Sequence, residues 1–184
     1  MSKVVLVTGG SRSGKSVLAE SKAFEYGDGS VIYLATAIPT DDDMKERIRL
    51  HQERRDSRWE THEGYRDLDK ALKETEKTTA LLDCITVFIT NFMFEEEREF
   101  DTISKEEIGC LQEQIMEELK KIIQAAREYD KNLIMVTNEV GMSLVPSYRM
   151  GRIFSDINGK VNEMLAGLSD EVYMSVCGIP IQLK

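Results

Sequence analysis

Cysteine and histidine are scarce: three and two in 184 residues. Cys84, Cys110 and Cys177 lie far apart and are odd in number. That excludes a disulfide framework and a zinc-type spacing, and suggests ordinary thiols in a reducing, cytoplasmic setting. Two histidines, His51 and His62, are too few for a multi-histidine metal site. No apolar run approaches the ~18–20 residues that span a bilayer, and the opening MSKVVLVTGG reads as a buried strand, not a signal peptide. Positive charge is also short. Lys and Arg number 24 against 33 Asp and Glu, a net −9, which excludes a general nucleic-acid surface because phosphate neutralisation needs the opposite excess. What is present, 41% hydrophobic and 31% charged residues over 184 positions, is the composition of one soluble domain, residues 1–184, with a true core.

Short β-rich runs alternate with helical patterns. Residues 3–8 (KVVLVT) are nearly all apolar and run into glycines, as a strand buried on both faces does. Residues 17–26 read as a helix stopped by Gly27 and Gly29, 31–36 (VIYLAT) as a strand, and 40–55 as a helix with aspartates in its first turn. An extended piece at 59–62 leads to a helix at 67–76, and 79–82 (TALL) is a core strand ending at Asp83. A helical stretch follows, then the acidic segment 95–101, expected to be a solvated loop. Ser104 and Glu107 form a capping-box pattern ahead of a helix whose stripe is Ile108, Leu111, Ile115, Leu119, Ile122 and Ala126. A strand at 132–137 and a helix at 149–168 come next, and 171–176 and 179–183 flank Cys177-Gly178 as a terminal hairpin. The expected class is α/β: a mostly parallel P-loop (RecA-like) sheet flanked by helices, with a C-terminal antiparallel hairpin.

Gly9-Gly10-Ser11-Arg12-Ser13-Gly14-Lys15-Ser16 fits G-x-x-x-x-G-K-[ST] between a strand and a helix. Glycines let successive N–H groups turn toward phosphate oxygens. Lys15 adds a positive charge, the Ser16 hydroxyl can ligate Mg²⁺, and the helix presents its positive end. A glycine-rich turn that binds nothing is the bland alternative, and the agreement of strand, loop, Lys-Ser and helix weighs against it. Asp83 at its strand end has two readings, a metal-side carboxylate or a cap on the next helix.

Residues 46–58 hold five arginines against three acids, a local +2 in a chain of −9. On a helix, Arg47, His51 and Arg54 or Arg55 share one face. A guanidinium face suits a triphosphate tail, and a neutral imidazole there could attack phosphorus. On spacing alone, a solvated basic face with an incidental histidine is the favoured reading. His62 reads as a surface-strand histidine and Trp59 as a packing residue.

Together these stretches resemble one family, the bifunctional adenosylcobinamide kinase/adenosylcobinamide-phosphate guanylyltransferases of cobalamin biosynthesis. The resemblance runs through LVTGGSRSGKS (6–16), YLAT (33–36), DDDMKERIRLHQERR (41–55), WETHE (59–63), LLDCIT (81–86), VTNEVGMSLVP (136–146) and FSDINGKVNEMLA (154–166) to the closing strand pair. It implies that His51, in the R-I-x-x-H frame of Arg47 and Ile48, is the guanylylated residue. It places guanine-nucleotide contacts at Gly9, Gly10, Ser11, Arg12, Ser13, Gly14, Lys15, Ser16, Thr36, Ala37, Ile38, Gln52, Glu53, Arg54, Arg55, Glu63 and Asp83. Lys15 would act in catalysis beside His51, and Mg²⁺ would sit at Ser16 and Asp83.

Three departures are specific to this chain. Leu50 stands where a second histidine is common, Asp83 where a glutamate is common, and Ser143 replaces a glycine. The implied substrates are GTP, ATP, adenosylcobinamide and its phosphate, and the implied assembly is a homotrimer with the site between subunits. The alternatives are a P-loop small-molecule kinase without covalent histidine chemistry and a GTP-binding switch. A switch reads guanine with N-K-x-D, whereas here the comparable stretch is Asn138-Glu139-Val140-Gly141. For the kinase step Asp41, Asp42, Asp43, Asp83 and Glu139 are all conceivable bases.

Overall fold

The computed structural model describes residues 2–38, 45, 46, 49, 56–142 and 144–184. Strand β1 is Val4–Gly9, helix α1 Lys15–Gly27, β2 Val31–Ala35, β3 Glu60–Glu63, α2 Leu68–Glu74 and β4 Thr79–Asp83. Then come α3 Ile85–Phe94, α4 Lys105–Glu128, β5 Asn132–Val136, a short 3-10 turn Val140–Met142, α5 Arg149–Leu168, β6 Glu171–Val176 and β7 Ile179–Gln182. The seven strands lie in the order β3-β2-β4-β5-β1-β6-β7. All neighbours are parallel except β6 and β7, the antiparallel terminal hairpin.

The continuous apolar runs follow from burial on both faces. In β1, Val4 and Leu6 join one core cluster while Val5 and Val7 join the other. All four are at most 2% exposed, and each such side chain contributes about 1.5–3 kcal/mol by leaving water. Helix α1 packs on one face through Ala19 and Ala23. The other face receives α2, α3, α4 and α5. Helix α4 opens on the expected capping box: Glu107 N–H donates to Ser104 Oγ at 3.1 Å, and Ser104 N–H to Glu107 Oε2 at 2.9 Å. Its buried stripe is Leu111, Ile115, Leu119, Ile122, Ile123, Ala125 and Ala126.

Helix α1 begins at Lys15, two residues before its apolar period does, because the glycine loop itself delivers the chain into the first turn. The acidic segment after α3 is the loop that its charge suggests, exposed at residues 95–97, 99 and 101, but it turns one aromatic inward. Phe100 is buried and meets Phe94 edge-on at 5.6 Å, and the Arg98 guanidinium donates to the Phe92 and Met93 carbonyls at 3.1 Å each. The segment therefore closes the carboxyl end of α3. Trp59 packs as expected, stacked on Tyr33 with ring centroids 6.4 Å apart. Of the basic helix expected at 40–55, Lys45, Glu46 and Arg49 are described and helical, with Arg49 paired to Glu46 at 2.6 Å.

Candidate functional site

The candidate site lies along the carboxyl edge of the sheet, where open α/β sheets bind ligands. One row of paired residues crosses that edge: Glu63, Ala35, Asp83, Val136 and Val7 on β3, β2, β4, β5 and β1. The loop Gly9–Ser16 begins two residues past Val7. Thr36, Ala37 and Ile38 follow β2, so the expected phosphate and nucleotide residues share this edge. Glu63 stands four strands from β1, about 19 Å at the usual strand spacing, and so marks the far end of the row rather than the phosphate loop. His51, Gln52, Glu53, Arg54 and Arg55 lie outside the described residues, as do Asp41, Asp42 and Asp43.

The loop is shaped by residues no other type replaces easily. Gly9 has φ +152°, and a Cβ there would stand 2.5 Å from the Ser175 carbonyl oxygen and 2.6 Å from Ser13 Oγ. Gly14 has φ +92° and sits at the N-cap of α1, which has no side-chain cap. The first-turn N–H groups have no intrahelical acceptor. Together with the helix dipole they make an anion seat. Ser13 Oγ is buried and has no hydrogen-bond partner among the described residues. An orphaned hydroxyl inside a glycine loop fits a bound oxyanion.

The loop is also buttressed from a distance. The Ser13 carbonyl accepts from Ser175 Oγ at 2.7 Å and from Gly178 N–H at 2.8 Å. The hairpin β6–β7 thus fixes the arch from outside. Lys15 Nζ donates to the Gly10 carbonyl at 2.9 Å. Burial lowers the Lys15 ammonium from the ordinary lysine value, while the negative charge of Asp83 opposes that shift. The carboxylate and ammonium are therefore electrostatically coupled across the edge.

Asp83 is not a helix cap. The N-cap of α3 is Cys84, whereas Asp83 Oδ2 accepts from the Tyr33 hydroxyl at 2.8 Å. Burial pushes the neighbouring Cys84 thiol up to about 12, keeping it protonated beside the carboxylate. Thr36 ties β2 to β4: its hydroxyl donates to the Cys84 carbonyl and accepts from Cys84 N–H, each at 2.9 Å. Ser16 in the first turn of α1 and the Asp83 carboxylate supply oxygen donors. Mg²⁺ is held by one or two such side chains together with phosphate oxygens and water. Among the described residues no group of three or more His, Cys, Asp or Glu is gathered as a metal cage.

Beside the loop opens a cleft of about 650 Å³, walled by Gly10–Ser13, by Thr86, Asn138 and Glu139 at the β4 and β5 ends, and by residues 174–177. Its polar wall is a network. The Asn138 amide donates to Thr86 Oγ1 at 2.8 Å, Asn158 Nδ2 to the Asn138 carbonyl at 2.8 Å, and Thr137 Oγ1 to Asn162 Oδ1 at 2.7 Å. The loop and Asp83 stand on this edge, as the sequence pattern suggests. Tyr33 reads in the sequence as one more apolar strand residue, and the Ser175–Gly178 buttress is signalled there only weakly, by a hairpin turn. No described helix is long and apolar enough to cross a membrane.

The family model described as "Cobinamide kinase / cobinamide phosphate guanyltransferase" matches residues 5–183. The bifunctional adenosylcobalamin biosynthesis protein CobU of Salmonella typhimurium is 39% identical over 98% of this chain and 99% of its own length. The bifunctional adenosylcobalamin biosynthesis protein CobP of Pseudomonas aeruginosa is 34% identical over 97% and 96%. Among solved structures, the flagellar accessory protein FlaH of Methanocaldococcus jannaschii aligns with a TM-score of 0.48 at 17% identity, covering 99% of this chain and 78% of that one. With a phosphate loop, a strand-end aspartate and a match spanning nearly every residue, the chain belongs to the cobinamide kinase/cobinamide phosphate guanyltransferase family.

Proposed function

We propose that the protein carries both reactions of its family, phosphorylating adenosylcobinamide and then transferring GMP from GTP to the phosphate so formed. The observation that carries this reading is the anion seat of Gly9–Ser16, with an uncapped α1 N-terminus and a buried, unpartnered Ser13 hydroxyl, within reach of the field of Asp83.

In the first reaction the loop holds the phosphates of ATP or GTP, and the Lys15 ammonium offsets charge on the moving phosphoryl group. Ser16 and Asp83 would hold Mg²⁺, which neutralises charge on the β- and γ-oxygens. Tyr33 fixes the Asp83 carboxylate through its hydroxyl. The acceptor is the aminopropanol hydroxyl of adenosylcobinamide.

In the second, the neutral imidazole of His51 attacks the α-phosphorus of GTP. The α–β anhydride bond breaks and pyrophosphate leaves, giving a guanylyl-histidine. Arg47, Arg54 and Arg55 offset the charge of the departing group, and Gln52 and Glu53 contact the same nucleotide. A phosphate oxygen of adenosylcobinamide phosphate then displaces His51 and yields adenosylcobinamide-GDP. A transferable phosphoramidate divides one difficult displacement into two easier ones. Thr36, Ala37 and Ile38 border the nucleotide, and Glu63 at the far end of the row accepts from guanine N–H groups. The reading includes a cytoplasmic homotrimer with the site between subunits.

The test is product analysis with purified protein. ATP and adenosylcobinamide should give adenosylcobinamide phosphate, and GTP with that phosphate should give adenosylcobinamide-GDP and pyrophosphate. Lys15→Ala should lower the first rate by at least ~100-fold. A protein that forms only the phosphate is a monofunctional kinase.

A further inference from the structure

We propose that Glu139 is the general base of the phosphoryl-transfer step and that the acceptor hydroxyl reaches it through the cleft beside the phosphate loop. The inference rests on the kinase activity proposed above and assigns it a residue.

Glu139 follows β5, the strand next to β1. Its N–H donates to the Gly9 carbonyl at 3.2 Å, which fixes it to the first residue of the loop. Its side chain is aimed by two donors on one oxygen: Thr8 Oγ1 reaches Glu139 Oε1 at 2.7 Å and Asn162 Nδ2 reaches the same atom at 3.2 Å. Among the described residues Oε2 takes no hydrogen bond, although Glu139 is half-buried and lines the cleft with Gly10–Ser13. A carboxylate held through one oxygen, on a residue that lines a cleft beside a phosphate seat, is arranged to take a proton.

The rival carboxylate is placed differently. Asp83 does not line this cleft, and its Oδ2 is engaged by Tyr33. It belongs to the metal side of the edge, leaving Glu139 on the acceptor side. The step balances. The acceptor O–H bond breaks with its proton passing to Glu139 Oε2, the new O–P bond forms to the γ-phosphorus, and the bond from that phosphorus to the β,γ-bridging oxygen breaks. The nucleoside diphosphate leaves. Formation of the guanylyl-histidine needs no such base, because a neutral imidazole nitrogen attacks directly. The two activities should therefore separate at this residue.

The experiment compares Glu139→Gln with wild type. The amide oxygen of Gln can still accept from Thr8 and Asn162, so the network and fold should persist. A matching thermal midpoint and near-UV circular dichroism spectrum would show that they do. With ATP and adenosylcobinamide, the variant's kcat should fall by ~10²–10⁴ with KM within about threefold. Its uptake of label from α-labelled GTP should stay within about twofold of wild type. Glu139→Asp should recover part of the lost kcat. Retained kinase activity in Glu139→Gln overturns the assignment, as does an equal fall in both activities, which is the mark of a structural role. A wild type that takes up label yet never phosphorylates adenosylcobinamide fails at the underlying reading, and the assignment goes with it.

Discussion

The Tyr33 hydroxyl donates to Oδ2 of Asp83 at 2.8 Å across the β2–β4 pair. Tyr33 is two residues before the row that contains Asp83, on the same face of the sheet, and its ring is buried against Trp59. The side chain thus does two jobs: the ring fills the core and the hydroxyl orients a carboxylate at the site. Aspartate is one methylene shorter than glutamate, so a donor rising from the core beneath it can hold it in one direction.

Tyr33→Phe keeps the ring and removes only the hydroxyl. We expect a stability loss of about 1–2 kcal/mol, the scale of a hydrogen bond to a charged group discounted for partial exposure. We also expect the affinity for Mg²⁺–nucleotide to weaken several-fold while affinity for metal-free nucleotide changes less. Calorimetric titration with and without Mg²⁺ reads both. Equal loss in the two titrations would mean that Tyr33 does not act through Asp83.

The phosphate loop depends on a close approach that only glycine allows. Gly9→Ala would drive a Cβ to 2.5 Å from the Ser175 backbone carbonyl at φ +152°, and should cost more than about 2 kcal/mol. Gly10→Ala meets nothing within 4 Å and should leave stability nearly unchanged. Chemical denaturation of the pair separates crowding at one position from a general intolerance of the loop.

Asp170 anchors the start of β1, accepting from Val4 N–H at 2.8 Å and lying beside Arg127 at 3.4 Å. Burial alone would raise its pKa, but the Val4 N–H and the Arg127 and Lys3 charges outweigh it and hold the carboxyl below its usual 3.8. A carboxylate depressed in the fold stabilises the protein above the unfolded value and loses that contribution as pH falls through the folded value. Asp170→Asn should therefore lower the melting temperature by at most about 2–4 °C at neutral pH, for a loss of no more than about 1 kcal/mol once solvent screening of the exposed carboxylate is discounted. The gap between variant and wild type should close as the buffer is taken below pH 3.8. A gap independent of pH would assign the effect to packing.

The strands were legible because burial on both faces leaves an unbroken apolar run, as in VVLV of β1, and the phosphate loop because its glycines, lysine and serine act within eight residues. What escaped is held by contacts remote in sequence. Ser175 and Gly178 support Ser13 from the far end of the chain, Glu139 meets Thr8 across 131 positions, and Tyr33 meets Asp83 across 50. Local periodicity carries no trace of such pairs. The segment 95–101 is the exposed loop that its six charges suggest, and only the inward turn of Phe100 went unread among them. The reading of His51 stands on its motif and its family, since the residue lies outside those described.

The most direct measurement is transfer of radioactivity from α-labelled GTP to the protein, followed by a chase with adenosylcobinamide phosphate. The account predicts one acid-labile, alkali-stable label per chain, present in His62→Ala, absent in His51→Ala, and discharged by the chase into adenosylcobinamide-GDP. Label that survives in His51→Ala, or that the acceptor never removes, contradicts it.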